Sequence, residues 1–250
     1  MKKIITITVL FIFSCQSGIE IDTTKYTATD PIADITYLNG SFYTTNIDSS
    51  GNAGSQIDLY IFNNESIPIN RYPMELNGQG YMAATNDGSN LYFQPRFTDL
   101  IFKITPFGEI FPHQSDNFPD NASDTMYWHG RGLAWSDTNL VALYRHKNDS
   151  TRYRGRYLHI NNNTIQIILD NTVIWDHLNS KGAYAMANNG QGEFIVLATD
   201  TLNRNIIFNV DSNFEYDGSF GIINGNPMGI STNPPDIYFS YPERQIELYE

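Results

Sequence analysis

The sequence predicts an all-β fold for most of its 250 residues, and three observations support this prediction. The composition is rich in residues that favour turns over helix interiors, with 27 Asn, 18 Gly and 11 Pro. From about residue 30, short apolar runs of Tyr, Phe, Ile, Leu and Val are separated by Asn, Asp and Gly, a pattern typical of many short strands. These runs also recur at a regular spacing, which indicates a repeated structural unit.

The first fourteen residues have the order of a secretory signal peptide. A basic start, Met1 to Lys3, precedes an apolar run from Ile4 to Phe13 that is interrupted by two Thr residues. The run has about ten residues, whereas a helix needs roughly 20 to span a bilayer. We therefore expect residues 1–14 to direct secretion and not to remain as a transmembrane anchor.

The only Cys of the chain follows this segment directly. Ile12-Phe13-Ser14-Cys15 resembles a relaxed lipobox of bacterial lipoproteins, although Phe13 is bulkier than the usual residue there. The resemblance implies that Cys15 becomes the mature N-terminus and carries the lipid. No Asp follows Cys15, so the inner-membrane retention signal of enteric lipoproteins is absent, which favours the outer membrane of the cell envelope, periplasmic or surface-exposed. An ordinary signal peptide with an incidental Cys, or a cytosolic chain, are the alternatives.

Five repeated units organise the rest of the chain. Each begins with a strand of small and apolar residues, continues through a tight polar turn into a bulkier strand, and adds a third strand; four units add a fourth. The first strands are expected to begin near residues 33, 80, 130, 182 and 226. Four-stranded units that recur every 40 to 50 residues or so are typical of propeller blades.

The last unit carries the clearest family resemblance. Pro227-Met228-Gly229-Ile230-Ser231, followed after a turn by Ile237-Tyr238-Phe239, is similar to the repeat of NHL and related β-propellers. The resemblance implies a β-propeller over residues 30–250, with five four-stranded blades. The fifth blade lacks a fourth strand, which the segment Ile19 to Thr27 is expected to supply within a tether of residues 15–29. Six blades or a β-sandwich are the alternatives.

Candidate ligand-binding residues lie in segments that a propeller brings to one face, namely the loops between second and third strands and those between blades. Aromatic rings there offer flat apolar area, and Arg offers a planar fork of hydrogen-bond donors. The alternative for Trp128 and Trp175 is that their rings fill gaps between blades. The candidates are Arg96, Trp128, His129, Arg131, Arg145, His146, Trp175, His177 and Asp200.

No metal site or cofactor is expected. Asp116, Asp120 and Asp124, and the segment 46–52, contain oxygen ligands of the kind calcium uses, but neither forms an EF-hand and both are consistent with solvated turns. The five His residues form no metal-binding pair, and no Cys follows Cys15.

One resemblance points to an enzyme. Thr29-Asp30-Pro31-Ile32 is similar to the opening of five-bladed glycoside hydrolases, which implies Asp30 as a general base. Hydrolysis needs a second carboxyl group, and the family's later motif, a Glu followed by Gly or Ala and Pro, is missing. The chain also has no nucleophile elbow, P-loop or dinucleotide fingerprint.

The formal charge of −12 excludes a general nucleic-acid binder, because neutralising phosphates requires a basic surface. The sequence therefore predicts a lipid-anchored, extracytoplasmic β-propeller that binds or scaffolds an envelope or host protein or a glycan without catalysis, as a monomer. A glycoside hydrolase that uses Asp30 and a purely structural envelope lipoprotein are the two alternatives.

Overall fold

A computed structural model describes residues 26–27, 32–46, 57–62, 68–74, 82–95, 101–105, 110–115, 128–161, 164–241 and 245–249. Every helix or strand within these ranges is a β-strand, which confirms the all-β prediction. None of the described residues forms a helix long and apolar enough to cross a membrane. Cys15, Asp30, Arg96 and the acidic residues at 116, 120 and 124 lie outside the described ranges.

The described strands form three sheets of four strands and one of eight, and a short parallel pairing joins two antiparallel groups of four within the larger sheet. The first group comprises β2 (Ile32–Leu38), β3 (Ser41–Asn46), β4 (Ile57–Phe62) and β5 (Pro68–Met74). The second comprises β6 (Met82–Asn86), β7 (Leu91–Pro95), β8 (Ile101–Ile104) and β9 (Ile110–Ser115). The third comprises β10 (Trp128–Ser136), β11 (Asn139–His146), β12 (Arg152–Asn161) and β13 (Thr164–Ile174). The fourth comprises β14 (Leu178–Asn188), β15 (Phe194–Asp200), β16 (Asn205–Val210) and β17 (Tyr216–Ile223). The fifth comprises β18 (Gly229–Asn233), β19 (Asp236–Tyr241), β20 (Gln245–Tyr249) and β1 (Tyr26–Thr27).

The fifth group combines both ends of the described chain. Tyr26 pairs with Ile246 and Thr27 with Gln245, so that β1 covers the edge of β20. Between the second and third groups, β13 pairs in parallel with β9 at Thr164 and Ile165. The first pairing completes the fifth group, and the second connects two groups at their outer strands.

The first strands of the five groups surround a common axis. They lie against one another in the order β2, β6, β10, β14, β18 and back to β2. A Cβ placed on Gly132 of β10 would lie 2.6 Å from Cβ of Met186 on β14, so small residues allow this close approach. Large apolar side chains fill the spaces between neighbouring sheets. This is the architecture of a β-propeller and not that of two sheets facing each other in a sandwich.

The axis has two ends that differ in structure. At the end where the first strands begin, which we call the cavity end, there is a cavity of about 490 Å³, whereas a smaller one of about 260 Å³ lies at the other end. At the other end, which we call the turn end, each first strand enters a tight turn such as Asn39-Gly40, and side-chain contacts link neighbouring groups. These contacts are Asn86 Nδ2 to Thr36 Oγ1 (2.6 Å), Asn188 Nδ2 to the Trp135 carbonyl (2.6 Å), Thr232 Oγ1 to the Asn188 carbonyl, Tyr37 N to Ser231 Oγ (3.0 Å), and the stacked rings of Tyr92 and Trp135 (5.1 Å).

Candidate functional site

A cavity of about 490 Å³ occupies the cavity end of the axis. Its volume is within the range of small-molecule binding sites. Residues from four of the five groups line it, together with the segment that leads into β18. They are Asp34, Ala83, Gly130, Arg131, Arg145, Ser180, Lys181, Tyr184, Thr199, Asn205, Asn226, Pro227 and Met228.

Irregularities in the first strands direct several side chains toward this cavity. In β10, Gly130 and Gly132 pair with consecutive residues of β11, which leaves Arg131 between them without a partner in the register. In β14 the same occurs at Tyr184, and the register skips residues 179–181. A bulge bends a strand and re-aims the side chain at the extra position, and here the extra positions include the cavity residues Arg131, Lys181 and Tyr184.

The irregular segment at the start of β14 is held by specific hydrogen bonds. Asn179 Oδ1 accepts bonds from the N–H groups of Lys181 (2.8 Å) and Gly182 (3.3 Å). Arg145 Nη1 donates to the carbonyl oxygens of Ser180 (2.7 Å) and Lys181 (2.5 Å). Gly182 has φ +65°, and a Cβ there would lie 2.1 Å from the Tyr153 hydroxyl. Arg145 and the Lys181 backbone are thus fixed together on one wall.

Tyr153 supports this wall from the core. Its hydroxyl accepts a bond from Ala183 N (2.8 Å), and its ring stacks on Trp175 at 4.4 Å. Burial raises the pKa of the Tyr153 hydroxyl, while the nearby positive charges of Arg145 and Arg131 partly oppose this rise. Both arginines therefore lie close to the same buried phenol.

A second wall, beside the first because Thr199 pairs with Gly182, is neutral and polar. Asn205 Oδ1 accepts bonds from the hydroxyl groups of Tyr184 (3.3 Å) and Thr199 (3.3 Å). Asn205 Nδ2 donates to the Gly225 carbonyl (2.5 Å), next to the cavity residue Asn226. Burial raises the pKa of Tyr184 above its ordinary range, so its hydroxyl is neutral at physiological pH.

Asp34 is the carboxyl group on the described lining, and it ties β2 to both neighbouring first strands. Its Oδ2 accepts a bond from Ala84 N (2.8 Å), and its Oδ1 accepts bonds from Ile35 N (2.9 Å) and Ile230 N (3.3 Å). The side chain fills the space beside Gly229, where a Cβ would lie 2.3 Å from Oδ1. Burial raises the pKa of Asp34 to about 8, although the three backbone N–H groups oppose the rise.

Of the residues predicted for ligand binding, the structure brings Arg131 and Arg145 together on the cavity. The expectation of exposed indoles is wrong for the two tryptophans in that set. Trp175 is 1% exposed and donates its Nε1–H to the Phe214 carbonyl (3.2 Å), so it packs between the third and fourth groups. Trp128 is 8% exposed and lies beneath the Arg154 guanidinium, 4.4 Å from its ring. Both rings fill gaps between sheets, the alternative that the sequence left open.

The other predicted site residues that the structure describes lie at the cavity end but not on the cavity, and Arg96 is outside the described ranges. His129 pairs with Arg145 across β10 and β11, and His146 contacts the Trp128 ring edge-on at 5.2 Å. His177 stacks on Tyr216 at 4.4 Å, and burial lowers its pKa.

Asp200 stabilises the turn between β15 and β16. Its Oδ1 accepts bonds from the N–H groups of Leu202 (2.9 Å) and Arg204 (2.8 Å), and its Oδ2 forms an ion pair with Arg204 (2.7 Å). Burial acts to raise the pKa of Asp200, but these bonds hold it below its ordinary value. The carboxylate is therefore engaged within its own turn.

Sequence reasoning missed Asp34, Lys181, Tyr184 and Asn205 as cavity residues. One signal for the bulges was present, because Gly inside a strand pattern marks irregular pairing or a close backbone approach. Gly130 and Gly132 flank Arg131, and Gly182 follows Lys181. Among the described residues, no three His, Cys, Asp or Glu side chains are grouped so as to hold a metal ion.

Comparison with protein-family models and with curated proteins finds no match to this chain. Comparison with solved structures finds many. Glutaminyl cyclase from Myxococcus xanthus is 14% identical, with a TM-score of 0.59 over 92% of this chain and 94% of that protein. The exo-β-1,3-galactanase of Phanerochaete chrysosporium is 12% identical, with a TM-score of 0.54 over 93% of this chain and 64% of that one. A luciferin-regenerating enzyme is 11% identical, with a TM-score of 0.52 over 88% and 77%. At these identities the similarity shows the fold alone, and it supports the β-propeller.

Proposed function

We propose that this protein is a lipid-anchored, extracytoplasmic binding protein: a five-bladed propeller attached through Cys15 to the outer membrane of a bacterial envelope. It binds a partner, a glycan or a protein segment, in the axial cavity and without catalysis. The observation that carries the proposal is the cavity itself, which has cationic and neutral polar walls built from bulges in adjacent first strands.

Three features support five blades closed by the N-terminus. The described strands form five groups of four, and their first strands follow one another in a closed order. The pairing of β1 with β20 joins the two ends of the domain in one group. In a ring of blades, such a pairing also protects an edge that is otherwise open to association.

The cavity favours binding over glycoside hydrolysis. Hydrolysis by the usual mechanism needs two carboxyl groups on opposite sides of the scissile bond, and Asp34 alone supplies a carboxyl to the described lining. Both oxygens of Asp34 already accept backbone hydrogen bonds. That arrangement suits a structural tie between strands better than a group that exchanges protons with a substrate.

A blocking substitution at the cavity mouth tests the binding site. Asn226 is exposed and lines the cavity, so Asn226→Trp is expected to fill the mouth without disturbing the core. Asn213→Trp, in an exposed turn at the turn end, is the matched control. On a glycan array and with immobilised envelope proteins, the wild type and Asn213→Trp should bind the same components and Asn226→Trp should lose them. Binding that survives in Asn226→Trp would place the binding site outside the cavity and remove the proposal, and a wild type that binds nothing would favour the purely structural alternative.

Lipid attachment is tested separately. Cys15→Ser should move the protein from the membrane fraction to the soluble fraction and should abolish incorporation of an alkyne-labelled fatty acid. Unchanged partitioning, or unchanged labelling, would contradict a lipid at this position.

A further inference from the structure

We infer that the axial cavity binds an acidic sugar and holds its anionic group beside Arg145 and Lys181. This inference rests on the proposed function, since it names the ligand class of the same cavity. The shared chemistry is a carboxylate or phosphate carried on a sugar ring.

The charge of the lining differs from that of the protein. The chain has a formal charge of −12, yet three cationic side chains, Arg131, Arg145 and Lys181, line the cavity. The one carboxyl on the described lining is Asp34, and burial keeps it largely protonated at neutral pH. A concave site with one sign of charge concentrates its field on the ligand, so this cavity attracts anions although the molecule as a whole repels them.

Two of these cations are available to a ligand. Within the described part of the chain, the ion pairs involve Asp170 and Asp200, and neither Arg145 nor Lys181 takes part in one. Arg145 is held in place by the two carbonyl oxygens that its Nη1 contacts. Carbonyl oxygens orient the guanidinium without neutralising its charge. A side chain that is already fixed loses little conformational entropy when an anion binds. This wall is therefore organised before the ligand binds.

The neutral wall matches the rest of a sugar. Ser180, Tyr184, Thr199 and Asn226 bring hydroxyl and amide groups to the same cavity. Hydroxyl and amide groups both donate and accept hydrogen bonds, as sugar hydroxyls do. A ligand that carries a charged group and hydroxyl groups close to it therefore satisfies both walls, and a volume of about 490 Å³ is sufficient for a sugar.

Three glucose-based probes separate charge from ring recognition: glucuronate, glucose 6-phosphate and glucose. Isothermal titration calorimetry measures their affinities at low ionic strength, with the full chain lacking its signal peptide. We expect at least one anionic probe to bind at least tenfold more tightly than glucose. Preference for glucuronate assigns the site to a carboxylate, and preference for glucose 6-phosphate assigns it to a phosphate.

Two matched lysine variants test whether the anion binds in the cavity. Lys181 and Lys147 are both exposed and lie at the same end of the molecule, but Lys181 alone lines the cavity. Lys181→Gln should weaken binding of the preferred anion at least fivefold and leave glucose unchanged, whereas Lys147→Gln should change both by less than twofold. Equal binding of glucose and the anions would overturn this inference while keeping the proposed function. Binding of neither anion at 10 mM, or equal losses in both lysine variants, would also overturn it, and the cavity-blocking variant then decides separately whether the cavity binds anything.

Discussion

Asp34 makes the stability of this protein depend on pH in a direction opposite to that of most carboxylates. The usual buried carboxylate is stabilised by charge partners and has a lowered pKa. Asp34 instead has a pKa raised from 3.8 to about 8, because burial outweighs its three backbone hydrogen bonds. The folded state therefore holds a proton that the unfolded chain releases above pH 4. This contribution to stability is fully present below pH 4 and is lost as the pH rises through 8.

The size of the effect follows from the two pKa values. Between them, stability falls by at most about 1.4 kcal/mol per pH unit. From pH 6 to pH 8 the free energy of unfolding should drop by about 2 kcal/mol on account of Asp34. Asp34→Asn leaves no titrating group at this position. It also places an amide N–H₂ against a backbone N–H, which lowers the free energy of unfolding by about 1–3 kcal/mol. The variant should thus be clearly less stable than the wild type at pH 6, and the difference should shrink by about 2 kcal/mol at pH 8.

Urea unfolding at pH 6, 7, 8 and 9 measures this difference. Trp175 and Trp128 are buried, so their fluorescence reports loss of the packed sheets. Asp137→Asn is the control, since Asp137 is exposed in a tight turn with φ +53° that Asn also tolerates. The control should keep the wild-type pH dependence. A difference between Asp34→Asn and wild type that stays constant from pH 6 to 9, or grows, would refute the reasoning.

Three further predictions concern packing and closure. Gly182→Ala should lower the free energy of unfolding by about 2 kcal/mol more than Gly192→Ala does. Both residues have positive φ, but only at Gly182 does an added Cβ meet the Tyr153 hydroxyl. Equal melting temperatures of the two variants would contradict this. Asp170→Ala should destabilise by about 2 kcal/mol, because it removes the carboxylate to which the buried Arg156 donates two bonds at 3.0 and 3.1 Å, and urea unfolding that matches the wild type would show the pair to be neutral. Removing residues 1–27 should expose the edge of β20 and produce concentration-dependent association in analytical ultracentrifugation, whereas removing residues 1–23 should leave a monomer; a monomer in both would argue against closure by β1.

The fold was predictable because strand and turn signals are local. The first strands predicted to begin near residues 33 and 130 correspond to β2 (Ile32–Leu38) and β10 (Trp128–Ser136). Alternation of apolar residues and Asn-rich turns requires only neighbours along the chain. The order of small first strands and bulky second strands then repeats, and that repetition indicates the propeller.

The site was less predictable because it depends on register. Whether a residue in a first strand faces the axis or the neighbouring sheet changes with each bulge, and one extra residue reverses the face. Arg131 reaches the cavity from such a position, whereas Trp128, three residues earlier, points between sheets. Trp175, also predicted for ligand binding, is buried and stacks on Tyr153, whose hydroxyl accepts a bond from Ala183 N. Aromatic content alone does not distinguish these roles.

The direction of β1 relates the cavity to the proposed anchor. β18 and β20 run from the cavity end to the turn end, and β1 is antiparallel to β20, so Tyr26 is the turn-end residue of β1. Ten residues span at most about 35 Å, so the lipid proposed at Cys15 would keep the membrane within about that distance of Tyr26. The described turns at this end carry Asp87, Asp137, Glu193 and Asp211 and no Lys or Arg, so anionic lipid headgroups repel them. On the proposal made above, the acidic turn end would be held off the bilayer, and the cationic cavity would open at the other end of the axis, where the proposed anionic ligand would reach it from the surrounding medium.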